Sequence, residues 1–428
     1  MDGAELAPET RLTRHRDFMK LWAAQTVSAF GARISREGLP LAAVLTLHAG
    51  PGALGILAAL SRGSAMVVGL FAGGLVDRSS RRSIMIASDL IRGALLAAVP
   101  VIALLHHLSI GVIYAVALLV GAASVLFDIA DQAFLPSLVR KDQLVEANSK
   151  LATTDGVAET AGPALAGGLV QLLGAPFALA VNAVTYLASA LFLGSLRKVE
   201  DKHIPAEDAE PPTRLSDLII GFQALNADPV VRSVAVVMLI QGLFGGVFSA
   251  LYLIFAIRVV GLAPALLGIT IAVGGLGSLI GAVIGPWLTR RIGIGPTTAF
   301  TTLAYGLGLV FIPLAPEPGA HGSVVIGTGF MMASQLVGDT FGTACIIGLT
   351  SLRQGRLEPQ IMGRAGAALA AGTGALLILG ALGGGALADV IGMRPAMWVA
   401  VAGFTLAGVW AFASPIRSGP RSVEGSGR

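Results

Sequence analysis

The stretch Gly73-Gly74-Leu75-Val76-Asp77-Arg78-Ser79-Ser80-Arg81-Arg82 separates two long apolar runs, one ending near Val76 and the next starting at Ser83. An acidic residue and three arginines packed into Asp77 to Arg82 cannot lie in hydrocarbon without a large free-energy cost. The stretch therefore reads as a tight turn at a membrane surface, and its arginines place that surface on the cytoplasmic side.

The composition outside this turn agrees. Of 428 residues, 54% are hydrophobic and 13% charged, with a mean hydropathy of +0.79. Soluble domains carry about 25% charged residues, so this is an integral membrane protein in a lipid bilayer. The 56 glycines fit helices that approach closely within it. A net charge of +4 is compatible with nucleic-acid binding, but the basic residues sit at span ends and are not interleaved with aromatics, so no nucleic-acid partner is expected. Cys345 is the lone cysteine and lies in an apolar run, which excludes an intramolecular disulfide. Neither a histidine–cysteine cluster nor a Gly-x-x-x-x-Gly-Lys-Ser/Thr loop is present, so no metal, no cofactor and no ATP-driven step is expected. With neither a soluble domain nor a nucleophile–base pair visible, an enzyme is not expected either.

A span needs about 20 residues, more when tilted. Twelve are predicted: 18–47, 52–76, 83–105, 108–134, 151–173, 176–196, 231–258, 265–289, 296–315, 322–349, 362–388 and 393–414. They group as a cytoplasmic tail (1–17), a six-helix bundle (18–196), a polar linker (197–230) with a surface helix near Leu218 to Leu225, a second six-helix bundle (231–415) and a tail (416–428). Of the 29 Lys and Arg, 24 fall on the side shared by the two termini, 2 (Arg258 and Arg394) on the other, and 3 (Arg33, Arg36 and Arg62) within spans. That bias predicts cytoplasmic termini. The halves also repeat weakly. Pro51-Gly52-Ala53-Leu54-Gly55 is echoed by Pro264-Ala265-Leu266-Leu267-Gly268, and Ala164-Leu165-Ala166-Gly167-Gly168 by Ala381-Leu382-Gly383-Gly384-Gly385, at offsets of roughly 212 to 217 residues. The opening turn has a decayed echo in Gly285 to Arg291, with Thr289 in place of the aspartate.

The opening turn resembles the signature loop between helices 2 and 3 of the major facilitator superfamily: Gly73, Leu75, Asp77, Arg78, Arg81 and Arg82 match it, and Ser80 stands where the pattern has glycine. Phe18-Met19-Lys20-Leu21-Trp22, Phe134-Leu135-Pro136-Ser137-Leu138-Val139, Leu144-Val145-Glu146-Ala147-Asn148, Ser351-Leu352-Arg353-Gln354 and Gly363-Arg364 are similar to the family's branch of bacterial drug:proton antiporters, which includes macrolide-efflux and enterobactin-export proteins. Gly162, Pro163, Gly167 and Gly168 resemble the helix 5 pattern of exporters, with one residue too many between. The helix 4 arginine of many proton-coupled drug exporters is replaced here by Ala117. The resemblance implies an all-α membrane fold of two six-helix bundles, a monomer in a bacterial inner membrane, and a substrate cavity lined by helices 1, 4, 7 and 10. It further implies export of a small, largely hydrophobic molecule by proton antiport. A siderophore or lipid exporter of the same fold, or a non-transporting receptor, are the alternatives.

Charged residues inside spans are the candidates for the pathway. Arg33, Arg36 and Glu37 lie in span 1, where Arg33 and Glu37 can pair at i, i+4; the group is either a cavity cluster gated by Glu37 protonation or an ion pair at a helix bend. Asp128 and Asp131 share a face of span 4, as proton carriers or as solvated end groups. Span 10 carries the stripe Gln335, Asp339 and Thr343, with Asp339 a proton site or the partner of an arginine. Asp155 and Glu159 read as structural, and Arg62 as either a salt bridge to Glu37 or a substrate contact. Asp77 is expected to accept hydrogen bonds from the start of helix 11, with Arg364 as an added partner and Gly73, Arg78, Arg81 and Arg82 around it. That latch would close the cytoplasmic side in one state.

Overall fold

The computed structural model describes residues 12–196, 215–319 and 323–418, with the backbone alone at 14, 65–67, 69–78 and 215. One bundle comprises α1 (Arg16–Leu45), α2 (Pro51–Arg78), α3 (Arg81–Leu104), α4 (Ile110–Leu138), α5 (Leu144–Leu173) and α6 (Ala175–Gly194). A short helix, α7 (Leu215–Ala227), precedes the second bundle. That bundle comprises α8 (Pro229–Arg258), α9 (Pro264–Ile292), α10 (Ile294–Gly308), α11 (Phe311–Leu314), α12 (Val324–Gln354), α13 (Pro359–Ile391) and α14 (Met393–Ala413). Among the described residues there is no β-strand, and 9 helical segments are long and apolar enough to cross a membrane, α10 and α11 counting as one. The helices α1 and α5, each of 30 residues, carry Arg33, Arg36, Glu37 and Glu159, while Arg62 lies on α2 and Asp339 on α12.

Local chemistry sets the boundaries. Ser109 and Ser323 cap α4 and α12 by accepting from Val112 N and Ile326 N. Single glycines at positive φ join α5 to α6 (Gly174, 85°), α9 to α10 (Gly293, 90°) and α13 to α14 (Gly392, 91°), where a side chain would be strained. Asp228 caps α8 by accepting from Val230 N at 2.7 Å and Val231 N at 3.0 Å, and pairs with Arg356 at 3.1 Å. Burial alone would raise its pKa; the backbone donors and Arg356 outweigh it and hold the carboxyl below its usual range. Its contribution to stability is therefore present above the unfolded carboxylate pKa and lost as pH falls through the folded one.

Two predicted bounds shift. Helix α5 begins at Leu144 and not 151, because Glu146, Ala147 and Lys150 favour helix and the Glu146–Lys150 pair at i, i+4 supports a first turn that needs no hydrocarbon around it. The ninth predicted span breaks at Leu309-Val310: Pro313 has no N–H to offer and its ring crowds the Leu309 carbonyl.

At the end that carries both termini, each bundle has its own apolar clusters. Leu12, Phe18, Met85, Leu138 and Leu193 pack in the first bundle; Val230, Ala299, Leu352 and Ile416 pack in the second, beside a cluster of Leu225, Val231, Ala365 and Leu369. At the opposite end one cluster runs through both bundles, with Leu41, Leu54, Ala166, Leu267, Tyr252, Ala381 and Ala388 among its members. The molecule is thus sealed at the far end and divided towards the termini.

The seal is made by the two repeats found in the sequence. A Cβ at Gly55 would overlap the Ala381 carbonyl oxygen, and one at Gly385 would come within 2.7 Å of the Pro51 carbonyl oxygen. In the matching contact a Cβ at Gly268 would overlap the Pro163 carbonyl, and one at Gly167 the Pro264 carbonyl. Each contact is completed by a cap from the other half: Gly52 N–H donates to Asp389 Oδ2 at 3.1 Å, and Ala265 N–H to Gln171 Oε1 at 3.1 Å. The helix 5 pattern therefore lies in the seal, with Gly168 alone of its glycines facing open space and Gly162 seated on the Arg33 side chain.

Gly55→Val or Gly268→Val should hold the far end apart. In a Cys345→Ala background carrying Ala58→Cys, labelling of the cavity by an impermeant maleimide applied from the far side should rise on the order of tenfold, the response to ~1.4 kcal/mol of bias. Unchanged labelling would remove these glycines from the seal.

Candidate functional site

Below the seal, between the bundles, lies a cavity of about 480 Å³. Its first wall comes from α1, α2 and α5, with Arg36, Glu37, Leu57, Arg62 and Glu159; its second comes from α8, α9 and α12, with Phe248, Tyr252, Ile271, Gln335 and Asp339. The sequence supplies these positions by helical spacing. Trp22, Thr26, Phe30, Arg33 and Glu37 follow each other at three- and four-residue steps along one face of α1. Trp22, Thr26 and Phe30 line a separate hollow of about 430 Å³ against Ser149, Thr153 and Val157 of α5, nearer the termini.

The first wall is knitted by Glu159. Arg33 Nη1 contacts Glu159 Oε2 at 2.5 Å, and Arg36 Nη1 contacts Glu159 Oε1 at 3.1 Å, while Arg36 Nε lies 3.9 Å from Glu37 Oε1. This corrects two readings of the sequence. The partner of Arg33 is Glu159 and not Glu37, because α5 passes close to α1 at Gly162 and presents its carboxylate to both arginines. Glu159 is accordingly a cavity residue, 52% exposed, and not a remote structural group. Glu37 is left 17% exposed at the cavity edge. Arg62 faces the cavity with no ion pair within 4 Å among the described residues, so the expected bridge to Glu37 is not formed.

On the second wall Asp339 stands beside Gln335 and against Gly274, where a Cβ would collide with its carboxylate. No cation approaches Asp339 within 4 Å among the described residues. Tyr252, 8% exposed, stacks on Phe248 at 5.1 Å between centroids; its hydroxyl is buried without a protein hydrogen-bond partner and within electrostatic reach of both Glu37 and Asp339. Sequence reading missed Tyr252. The available signal was a phenol four residues after Phe248 in an otherwise apolar span.

Other predicted residues fall elsewhere. Asp128 lies outside the cavity lining, exposed on α4, while Asp131 accepts a hydrogen bond from Gln25 of α1. Arg364 pairs with Asp217 of α7 at 3.2 Å. Arg81 donates to the Ala133 carbonyl at 2.8 Å, and Arg82 to the Leu193 carbonyl at 2.9 Å and to Gly194, so their described contacts neutralise the carbonyl ends of α4 and α6 within the first bundle. The side chains of Asp77 and Arg78, and the surroundings of Gly73, lie outside the described residues.

One charged pair sits apart from the cavity. Asp89 is 0% exposed and Arg92 3%, and they bond each other inside the first bundle. The Arg92 guanidinium also donates to Ser124 at 3.3 Å and lies between the rings of Phe127 and Tyr186, at 4.4 and 4.3 Å from their centroids. Placed by the sequence just inside span 3 and counted with the charges of the terminal side, Arg92 is a buried strut between α3, α4 and α6.

Two helical bundles joined at one end around a polar cavity suit a protein that carries a solute across a membrane. The family profile described as Major Facilitator Superfamily matches residues 21–359, and the chain belongs to that family. Its members are transporters and not enzymes. The chain is 27% identical over 392 residues to an uncharacterized MFS-type transporter, YfiS, of Bacillus subtilis, covering 90% of this chain and 89% of that one. It is 29% identical over 264 residues to the multidrug efflux pump Tap of Mycolicibacterium fortuitum, covering 59% of this chain and 63% of that one. The fold matches the inward-facing structure of a bacterial homologue of the iron transporter ferroportin with a TM-score of 0.70 at 17% identity, over 93% of this chain and 98% of that chain.

Removing one member of the buried pair leaves the other charge stranded. Asp89→Leu or Arg92→Met alone should cost about 3 kcal/mol or more, whereas the double substitution should recover most of that loss. Thermal unfolding in detergent, followed by tryptophan fluorescence, measures both; a double variant as unstable as the worse single one would refute the strut.

Proposed function

We propose that the chain is a secondary exporter of the bacterial inner membrane, moving a small, largely hydrophobic molecule outward in exchange for protons. The observation that carries this reading is the cavity itself: closed at the far end, opening towards the termini, and flanked by two carboxylates, Glu37 and Asp339, on opposite bundles. The positive-inside bias makes the terminal end cytoplasmic, so the conformation is inward-facing. Glu37 and Asp339 are the proton carriers, since neither carboxylate is locked in a close ion pair and protonation removes a charge that the partly apolar cavity disfavours. The similarity to Tap supports efflux over uptake. Rocking of the bundles about the cavity exchanges its access, and Asp77 with the start of α13 forms the latch of the opposite, outward-facing state.

Reconstitution decides the reading. Full-length protein in liposomes with an imposed proton gradient should move members of a panel of lipophilic fluorescent dyes, and flux should collapse with an uncoupler. Glu37→Gln and Asp339→Asn should each lower that flux by at least about tenfold, as expected for loss of a proton-transfer group. Ligand binding without gradient-dependent flux would point to a receptor, and full flux in both variants would remove the coupling assignment.

A further inference from the structure

The charges around the cavity are paired unevenly. On the first wall Arg33 and Arg36 share Glu159, and Arg36 also approaches Glu37. Arg62, which lines the same wall, forms no ion pair within 4 Å among the described residues. On the second wall Asp339 is a carboxylate without a cation within 4 Å among the described residues, flanked by the Gln335 amide and by the unpartnered Tyr252 hydroxyl. The lining also includes the apolar and aromatic Leu54, Leu57, Phe248, Leu253 and Ile271. Arg62 is exposed to the cavity and Asp339 half-buried at it, so a ligand can meet both charges.

We infer that the cavity is built for an amphoteric substrate: an apolar or aromatic body with an anionic group held by Arg62 at one end and a protonated amine held by Asp339, with Gln335 and Tyr252, at the other. This deepens the exporter reading of the same cavity and rests on it. A molecule with both charges neutralises both walls at once, whereas a singly charged one leaves the opposite pole stranded. Because Arg62 belongs to the first bundle and Asp339 to the second, the same molecule also ties the two bundles together, which couples occupancy to closure of the cavity. The volume, about 480 Å³, suits a drug-sized molecule.

The test uses purified full-length protein in detergent and three probes of one shape. The parent is a biphenyl with an aminomethyl group at one end and a carboxylate at the other; the second probe is its methyl ester, a cation only; the third is its N-acetyl derivative, an anion only. Equilibrium dialysis should show the parent binding roughly thirtyfold more tightly than either derivative, the effect of stranding one desolvated charge. Arg62→Gln should weaken the parent to about the level of the ester on the unaltered protein, while the ester itself binds no less tightly. Asp339→Asn should weaken the parent to about the level of the N-acetyl derivative on the unaltered protein, while that derivative binds no less tightly. Arg62→Lys should keep the preference for the parent. The comparison of probes on the unaltered protein needs no variant to fold, and melting curves check those that are used. Equal binding of all three probes, binding of none, or a loss that falls equally on all three overturns the inference. A chain that drives dyes across liposomes yet binds the three probes alike keeps the exporter reading and loses this one; a chain without proton-dependent flux loses the exporter reading by a separate measurement.

Discussion

The architecture depends on backbone meeting backbone at the end away from the termini. Lipid offers no hydrophobic drive for one helix to join another, so contact must come from shape and from hydrogen bonds. Gly55, Gly167, Gly268 and Gly385 remove the side chains that would hold α2 from α13 and α5 from α9. Carbonyls of Pro51, Pro163, Pro264 and Ala381 occupy the vacated space. Only with both contacts made do the two bundles enclose a cavity that ends blindly. The same approach brings α1 and α5 close enough, at Gly162, for one carboxylate to hold two arginines.

Charge then distinguishes the scaffold from the site. Asp89 and Arg92 spend their charges on each other and on two aromatic rings, sealed inside one bundle, and so hold three helices without facing the route. The arginines of the opening turn do similar work at the surface, where the carbonyl ends of α4 and α6 attract them. In the cavity the accounting is left open. Among the described residues Arg62 and Asp339 lack an ion-pair partner within 4 Å, and the Tyr252 hydroxyl, within electrostatic reach of Glu37 and Asp339, has no hydrogen-bond partner. Groups of this kind destabilise a resting protein and are useful to one that must bind and release.

How far the sequence revealed this differs by feature. The membrane class and the two-bundle fold follow from Asp77 to Arg82, from the low charge content and from the repeats, since hydrocarbon permits few architectures. Cavity residues on α1 and α12 were legible because a charge inside a span is conspicuous. Partner choice was not: spacing along one helix favours Arg33 with Glu37, while the actual partner, Glu159, depends on how closely α5 crosses α1. Arg92 was misplaced for a related reason, because a residue eleven positions into α3 can face either headgroups or a bundle core, and Asp89 one turn earlier was the clue. The repeats were visible as symmetry, but that each motif of one half presses on the complementary motif of the other could be seen only once the helices were placed.

That pairing has a mechanical consequence. The motif opening α2 contacts α13, and its counterpart opening α9 contacts α5, so the two bundles meet at two related contacts and both must part before the far end opens. In each, a first-turn amide of a helix is capped in trans, Gly52 by Asp389 and Ala265 by Gln171. First-turn amides have no partner within their own helix, so when the caps leave, water at the membrane surface can take their place. A hydrogen bond exchanged for one to water changes free energy by only about 1 kcal/mol. The caps therefore fix the geometry of the seal, while what resists its opening is the apolar cluster that runs through both bundles at that end.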